Sequence, residues 1–148
     1  MARRPQPRSR YQHLLFDAER FFEAKDYETA FSIYRQALPE APPGDSRALA
    51  QLCRCYRKKA LRCLKQEDFA AVLSLLEEMM AQPQVTPHLK ALDHKVLGEA
   101  ALELGQLARA QQAFDQALAL KPDLAGELAP LQRRLKTEML SREMNGLL

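Results

Sequence analysis

Three segments of this chain repeat one alternation of small and large residues: Tyr27-x2-Ala30-x3-Tyr34-x2-Ala37-Leu38, Phe69-x2-Val72-x3-Leu76-x2-Met79-Met80 and Leu107-x2-Ala110-x3-Phe114-x2-Ala117-Leu118. No single residue constrains the fold as much. A self-similar chain of this kind builds its core by stacking one supersecondary unit on the next, because a lone unit cannot bury its own apolar face. The 148 residues make one domain large enough for a real core. Ala, Leu, Gln, Glu, Lys and Arg dominate, all good helix formers, and no alternating run bounded by turn residues reads as a strand. The expected fold class is all-α.

Helix starts and stops then frame the units. A first helix is expected from about Arg10 to Ala24, with Leu14, Ala18 and Phe21 on one face at i, i+4, i+7. Lys25-Asp26 makes the turn and Tyr27 to Leu38 returns. Pro39 and Ala41-Pro42-Pro43-Gly44 stop it, since proline lacks an N–H and clashes with the preceding turn. A second pair is expected from Ser46 to Leu64 and from Glu67 to Ala81, turning near Lys65-Gln66 and closed by Pro83. Thr86-Pro87 reads as an N-cap followed by proline at the first helical position. It opens a third pair, Pro87 to Glu103 and Leu107 to Leu120, joined by Leu104-Gly105-Gln106. Lys121-Pro122-Asp123 ends that pair and is expected to cap the next helix.

The expected organisation is a disordered basic tail over residues 1–10 and a helical-repeat domain over 11–148. Its hairpins span about 11–42, 46–83 and 87–122, with a capping helix at about 124–144. Leu128, Leu131, Leu135 and Met139 form that helix's apolar stripe, and Arg133, Arg134, Lys136 and Glu138 face away. Pro130 marks either a kink or its true start. A final helix of this kind covers the open end of the last hairpin, because terminal units need a polar outer surface.

These residues resemble the tetratricopeptide repeat family. The third unit matches through Leu97-Gly98, Ala101, Gly105, Ala110, Phe114, Ala117 and Pro122, the first through Ala18, Phe21, Tyr27, Ala30, Tyr34, Ala37 and Pro42. The second is degenerate: Tyr56, Ala60 and Phe69 match, while Val72, Leu76 and Met79 replace the usual small or aromatic residues. Ala30, Val72 and Ala110 stand 42 and 38 residues apart, against about 34 in that family. The additional residues fall at Ala41–Arg47 and Gln82–Thr86, where loops tolerate insertion. The resemblance covers residues 11–122 and implies tetratricopeptide-like hairpins in a right-handed superhelix. Small residues such as Ala30 and Ala110 would let the two helices of a hairpin approach, with Tyr34 and Phe114 filling the space between hairpins.

In such a superhelix the first helix of each pair lines the concave groove. The candidate partner-binding residues are Leu15, Glu19 and Phe22 on the first unit, Arg54, Arg57, Lys58, Leu61 and Lys65 on the second, and Lys95 and Leu102 on the third. Arg54, Lys58, Leu61, Arg62 and Lys65 follow i, i+4, i+7, i+8, i+11, a basic stripe opposite the packing residues Cys53, Tyr56, Ala60 and Cys63. A cationic stripe attracts an acidic peptide, and arginine holds carboxylates bidentately; a solvated helix face is the other reading. One subset of the family grips the C-terminal carboxylate of chaperones through Lys and Asn on the first unit, Asn on the second, and Lys and Arg on the third. Here those positions read Leu15, Glu19, Lys58, Leu92 and Val96, which disfavours chaperone-tail clamping.

The expected function is therefore a non-catalytic adaptor or scaffold that binds an extended peptide or helix, an acidic segment included. Apolar anchors supply energy and Arg and Lys orient. The alternative is a structural or self-assembling subunit, an oligomer using the C-terminal helix with Leu140, Met144, Leu147 and Leu148. Nucleic-acid binding comes third: the net charge is only +3 and no aromatic residues interleave the basic stripe. Enzyme activity is not expected, since there is no Gly-rich phosphate loop, nucleophile elbow or ligand-spaced His and carboxylate. No cofactor or metal is expected, because Cys53, Cys55 and Cys63 do not have zinc spacing. With no secretory or transmembrane segment and an odd cysteine count, the expected location is intracellular, cytoplasmic or nuclear, without membrane association.

Overall fold

The computed structural model describes residues 9–147. It contains α1 (Arg10–Glu23), α2 (Tyr27–Ala37), α3 (Arg47–Lys65), α4 (Phe69–Met80), α5 (Ala91–Glu103), α6 (Leu107–Leu120) and α7 (Ala125–Leu147), with no strand among the described residues. The all-α class follows. Of the expected disordered tail over residues 1–10, Arg10 instead opens α1 and Ser9 caps it, while residues 1–8 lie outside the described residues, as do Leu148 and the side chain of Leu147. Contacts divide the chain into two compact units, Met1–Lys59 and Ala60–Leu148, the boundary falling within α3.

In the first unit the Ser9 hydroxyl accepts the Gln12 N–H at 3.2 Å while the Gln12 carboxamide accepts the Ser9 N–H at 3.0 Å. This reciprocal cap satisfies donors that a helix start would otherwise leave open. The α1–α2 turn places Lys25 at φ 63°, and the Asp26 carboxylate then accepts the Thr29 N–H at 3.2 Å and its hydroxyl at 2.7 Å. Tyr11, Ala37 and Ala48 form a buried cluster that Leu14, Leu15, Leu38 and Ala41 pack against. The Tyr11 hydroxyl donates to Asp45 at 2.9 Å, and the same carboxylate accepts the Arg47 N–H at 3.0 Å, fixing the entry into α3.

The second unit repeats the turn chemistry. Glu67 takes φ 58° and Asp68 accepts the Ala71 N–H at 3.2 Å to start α4. Gly105, at φ 75°, joins α5 to α6. The residue opening the second helix has φ −87° and ψ 75° at Asp26 and Asp68, and −86° and 74° at Gln106. In all three turns the chain closes back on the preceding helix in the same way, with the Asp26, Asp68 and Gln106 N–H groups donating to the carbonyls of Phe21, Cys63 and Ala101. The repetition seen in sequence is thus also a repetition of backbone geometry. Within this unit α5 packs on α4, α6 and α7. Gly98 lies directly against Phe114, which is fully buried. α7 is held by Leu128 and Leu135, both buried, each contributing about 1.5–3 kcal/mol by leaving water. Lys95–Glu127 at 3.5 Å, the Glu103–Arg134 pair, and Arg142 donating to the Gly105 carbonyl at 2.6 Å line the same helix.

Several expectations are corrected. α5 begins at Ala91, not Pro87: Thr86–His88 forms a separate 3-10 turn, and Leu89 and Lys90 are extended. The start is set by Asp93, whose buried carboxylate accepts the Lys90 N–H at 2.8 Å, so Thr86 is not the cap. α4 starts two residues later than expected because Asp68 is its cap. Pro122–Leu124 forms a short 3-10 turn ahead of α7, and Pro130 sits inside α7 rather than marking its start. Phe21 is 40 % exposed, although its spacing put it with Ala18 on the packed face. Cys55 is buried alongside Cys53, while Cys63 is only half-buried.

Candidate interaction cleft in the first unit

Three of the expected groove residues meet. Glu19 and Phe22 of α1 and Arg54 of α3 line one cleft of about 300 Å³ with Tyr27, Tyr34 and Gln51. Helical spacing puts Glu19 and Phe22 one turn apart, and the ring of Phe22 packs edge-on against Tyr27 at 5.1 Å between centroids. The Arg54 guanidinium lies over the Phe22 ring, 4.4 Å from its centroid, and donates to the Gln51 side chain at 2.8 Å. A cation held on an aromatic face is positioned in advance for a carboxylate, while the half-buried ring remains available to an apolar side chain. Tyr34 forms part of the cleft wall, 2 % exposed, and burial first and foremost pushes its hydroxyl up to about 12. It is therefore a neutral hydrogen-bonding phenol at physiological pH. Glu19 and Glu23 line the cleft along with Arg54 and Lys25, so it is bipolar rather than purely basic.

The remaining expected residues do not join it. Leu15 is half-buried against the Tyr11–Ala37–Ala48 cluster and serves the core. Arg57 is half-buried, whereas Lys58, Leu61 and Lys65 are exposed along α3. Lys95 is committed to Glu127 on α7. Leu102 is corrected outright: it is 4 % exposed, because α5 packs against α4, α6 and α7. Residues that sequence reasoning had not placed in a site include Gln51, Tyr27 and Tyr34; only the long-range packing of α1, α2 and α3 brings them together.

Other chemistry is sparse. Among the described residues no group of His, Cys, Asp and Glu is arranged to hold a metal ion, and none of the three cysteines forms a disulfide. His94 is buried with its Nδ1 lacking a hydrogen-bond partner, and desolvation holds its pKa below the usual value despite Asp93 nearby. Glu99, between Lys95 and Glu103, is shifted the opposite way, its pKa raised mainly by burial. Leu140 and Met144 are exposed on the last turns of α7. No described helix is long and apolar enough to cross a membrane. No protein-family model matches the chain, and no curated protein matches it.

Proposed function

We propose that the protein is a non-catalytic interaction module of the tetratricopeptide type, its hairpins stacked in a right-handed superhelix, that binds an extended or helical segment of another protein. The observation that carries this is the pairing of Arg54 with the half-buried Phe22 in the α1–α3 cleft. An apolar side chain of the partner would pack on Phe22 while a neighbouring carboxylate takes the guanidinium, the combination of aromatic anchor and oriented cation that dominates small interfaces. Lys58, exposed one turn further along α3, extends the preference toward an acidic segment. The repeated turn geometry at Asp26, Asp68 and Gln106 supports the repeat reading, because equivalent turns orient equivalent helix pairs.

Selection of displayed peptides on the purified protein tests the proposal. Selected sequences are expected to combine an apolar residue with nearby Asp or Glu, to lose at least about tenfold in affinity on Arg54→Glu or Phe22→Ala, and to be indifferent to Arg133→Glu on α7. Peptides that bind all three variants as they bind the parent would overturn the assignment of this cleft.

A further inference from the structure

A different face of the first unit carries an arrangement that the partner cleft does not use. Phe31 on α2 is 9 % exposed, and two cations converge on its ring: Lys59 Nζ at 4.0 Å and the Arg35 guanidinium at 5.5 Å from the centroid. Behind it, Tyr56 packs edge-on at 4.9 Å, so the ring is fixed from the core side. Arg35 follows Phe31 at i+4, so α2 itself brings the guanidinium to the ring. Lys59 arrives from α3, its side chain only 20 % exposed, its stem packed and its ammonium delivered to the ring.

These groups line an open cleft of about 470 Å³ together with Glu28, Ser32 and Gln36. Ser32, Arg35 and Gln36 stand at i, i+3, i+4 on α2 and present a hydroxyl, a guanidinium and a carboxamide along one face. Glu28 is the single carboxylate of the lining, 3.5 Å from Lys59 and itself 66 % exposed. Arg35 forms no ion pair among the described residues. The cleft thus holds two cations against one anion, with neutral donors between them.

From this placement we propose that the Phe31 cleft is a binding site for a phosphoryl group, with Arg35 and Lys59 as the charged contacts and Ser32 and Gln36 as neutral donors. A tetrahedral oxyanion of charge near −2 has enough acceptor oxygens for all four groups, and its charge matches the two cations. A carboxylate has two oxygens and one charge, which Glu28 already supplies. Stacking on Phe31 holds both cations before the ligand arrives, which reduces the ordering cost of binding. Glu28 then acts as an internal competitor: it neutralises Lys59 in the free protein and repels the incoming anion.

That competition gives the test its sign. Inorganic phosphate and a phosphoserine peptide, with its unphosphorylated counterpart, are titrated into the isotopically labelled protein and followed by amide chemical shifts. Saturable shifts are expected at Ser32, Arg35 and Gln36, absent with the unphosphorylated peptide. Arg35→Gln is expected to weaken binding about fivefold and Glu28→Gln to tighten it about threefold, magnitudes set by charges at a partly exposed site. Tighter binding of the peptide assigns the group to a partner's modified side chain, and equal binding assigns it to a small free phosphate compound; either supports the site. The proposal is overturned if these amides shift no more than those of other surface residues, or if Glu28→Gln leaves affinity unchanged or weaker.

Discussion

Replacing Gly98 with alanine puts a methyl group where the α5–α6 contact has no space. A Cβ built at this position lies 2.4 Å from Phe114 Cε1, 2.7 Å from Cδ1 and 3.0 Å from Cζ, whereas carbon pairs rest at about 3.5–4.0 Å. The ring cannot swing into solvent, because Phe114 is 0 % exposed. Two effects oppose each other. In mid-helix alanine is favoured over glycine by about 1 kcal/mol. Overpacking a tight core costs about 1–3 kcal/mol, and three short contacts to one immobile ring place this case near the top of that range. The net expectation is destabilisation of about 1–2 kcal/mol, a fall in Tm of about 2–8 °C. Thermal and urea unfolding followed by far-ultraviolet circular dichroism measure it directly, a sensible choice for a chain without tryptophan. Gly126→Ala serves as the control, since a Cβ there meets nothing within 4 Å and propensity alone applies. Phe114→Leu in the Gly98→Ala background is expected to recover part of the loss, with a coupling of about 0.5–3 kcal/mol between the two sites. The reasoning is refuted if Gly98→Ala stabilises the protein as Gly126→Ala does.

Two further predictions concern groups whose environments are unusual. The folded pKa of His94 lies below its usual 6.5 because burial penalises the imidazolium, so the unfolded chain takes up a proton first as pH falls. The stability associated with His94 is complete above about 6.5 and declines as pH drops toward the lower folded value; His94→Gln is expected to flatten the urea midpoint between pH 7.5 and 5.5, and an unchanged slope would refute this. Burial pushes the Cys55 thiol up to about 11, overriding Arg54 and Lys59, and Cys53 is equally enclosed. A colorimetric thiol reagent on the native protein is expected to modify Cys63 first and the other two only on unfolding; Cys63→Ser that leaves the fast phase intact would contradict this.

Local chemistry made much of the fold legible. Asp26 and Asp68 announce helix starts because their short carboxylates reach backbone N–H groups three residues on, and α2 and α4 therefore begin within two residues of where they are expected. The same logic misled at Thr86-Pro87, where a plausible cap and proline pair formed only a short 3-10 turn. Asp93, acting from inside the helix, decided its start instead. Phe21 and Leu102 show a second kind of error. Period alone assigns a residue to a face, yet which face is covered depends on the helices that arrive from elsewhere in the chain. For Leu102 these are α4, α6 and α7, and they leave it buried. The Phe31–Arg35 contact was within reach of sequence reasoning as an i, i+4 pair on α2, whereas the convergence of Lys59 on the same ring was not.

The division between the two levels of information follows from the range of the forces involved. Helix propensity, capping and the repeated alternation of small and large residues act within one or two turns, so the sequence by itself determined an all-helical chain with similar turns ahead of α2, α4 and α6. Which side chains share a cleft is a long-range outcome. Glu19, Phe22 and Arg54 meet because α1 and α3 pack together, and Lys59 reaches Phe31 because α3 also packs on α2. Close-packed cores permit few such arrangements, and only the assembled tertiary structure selects among them.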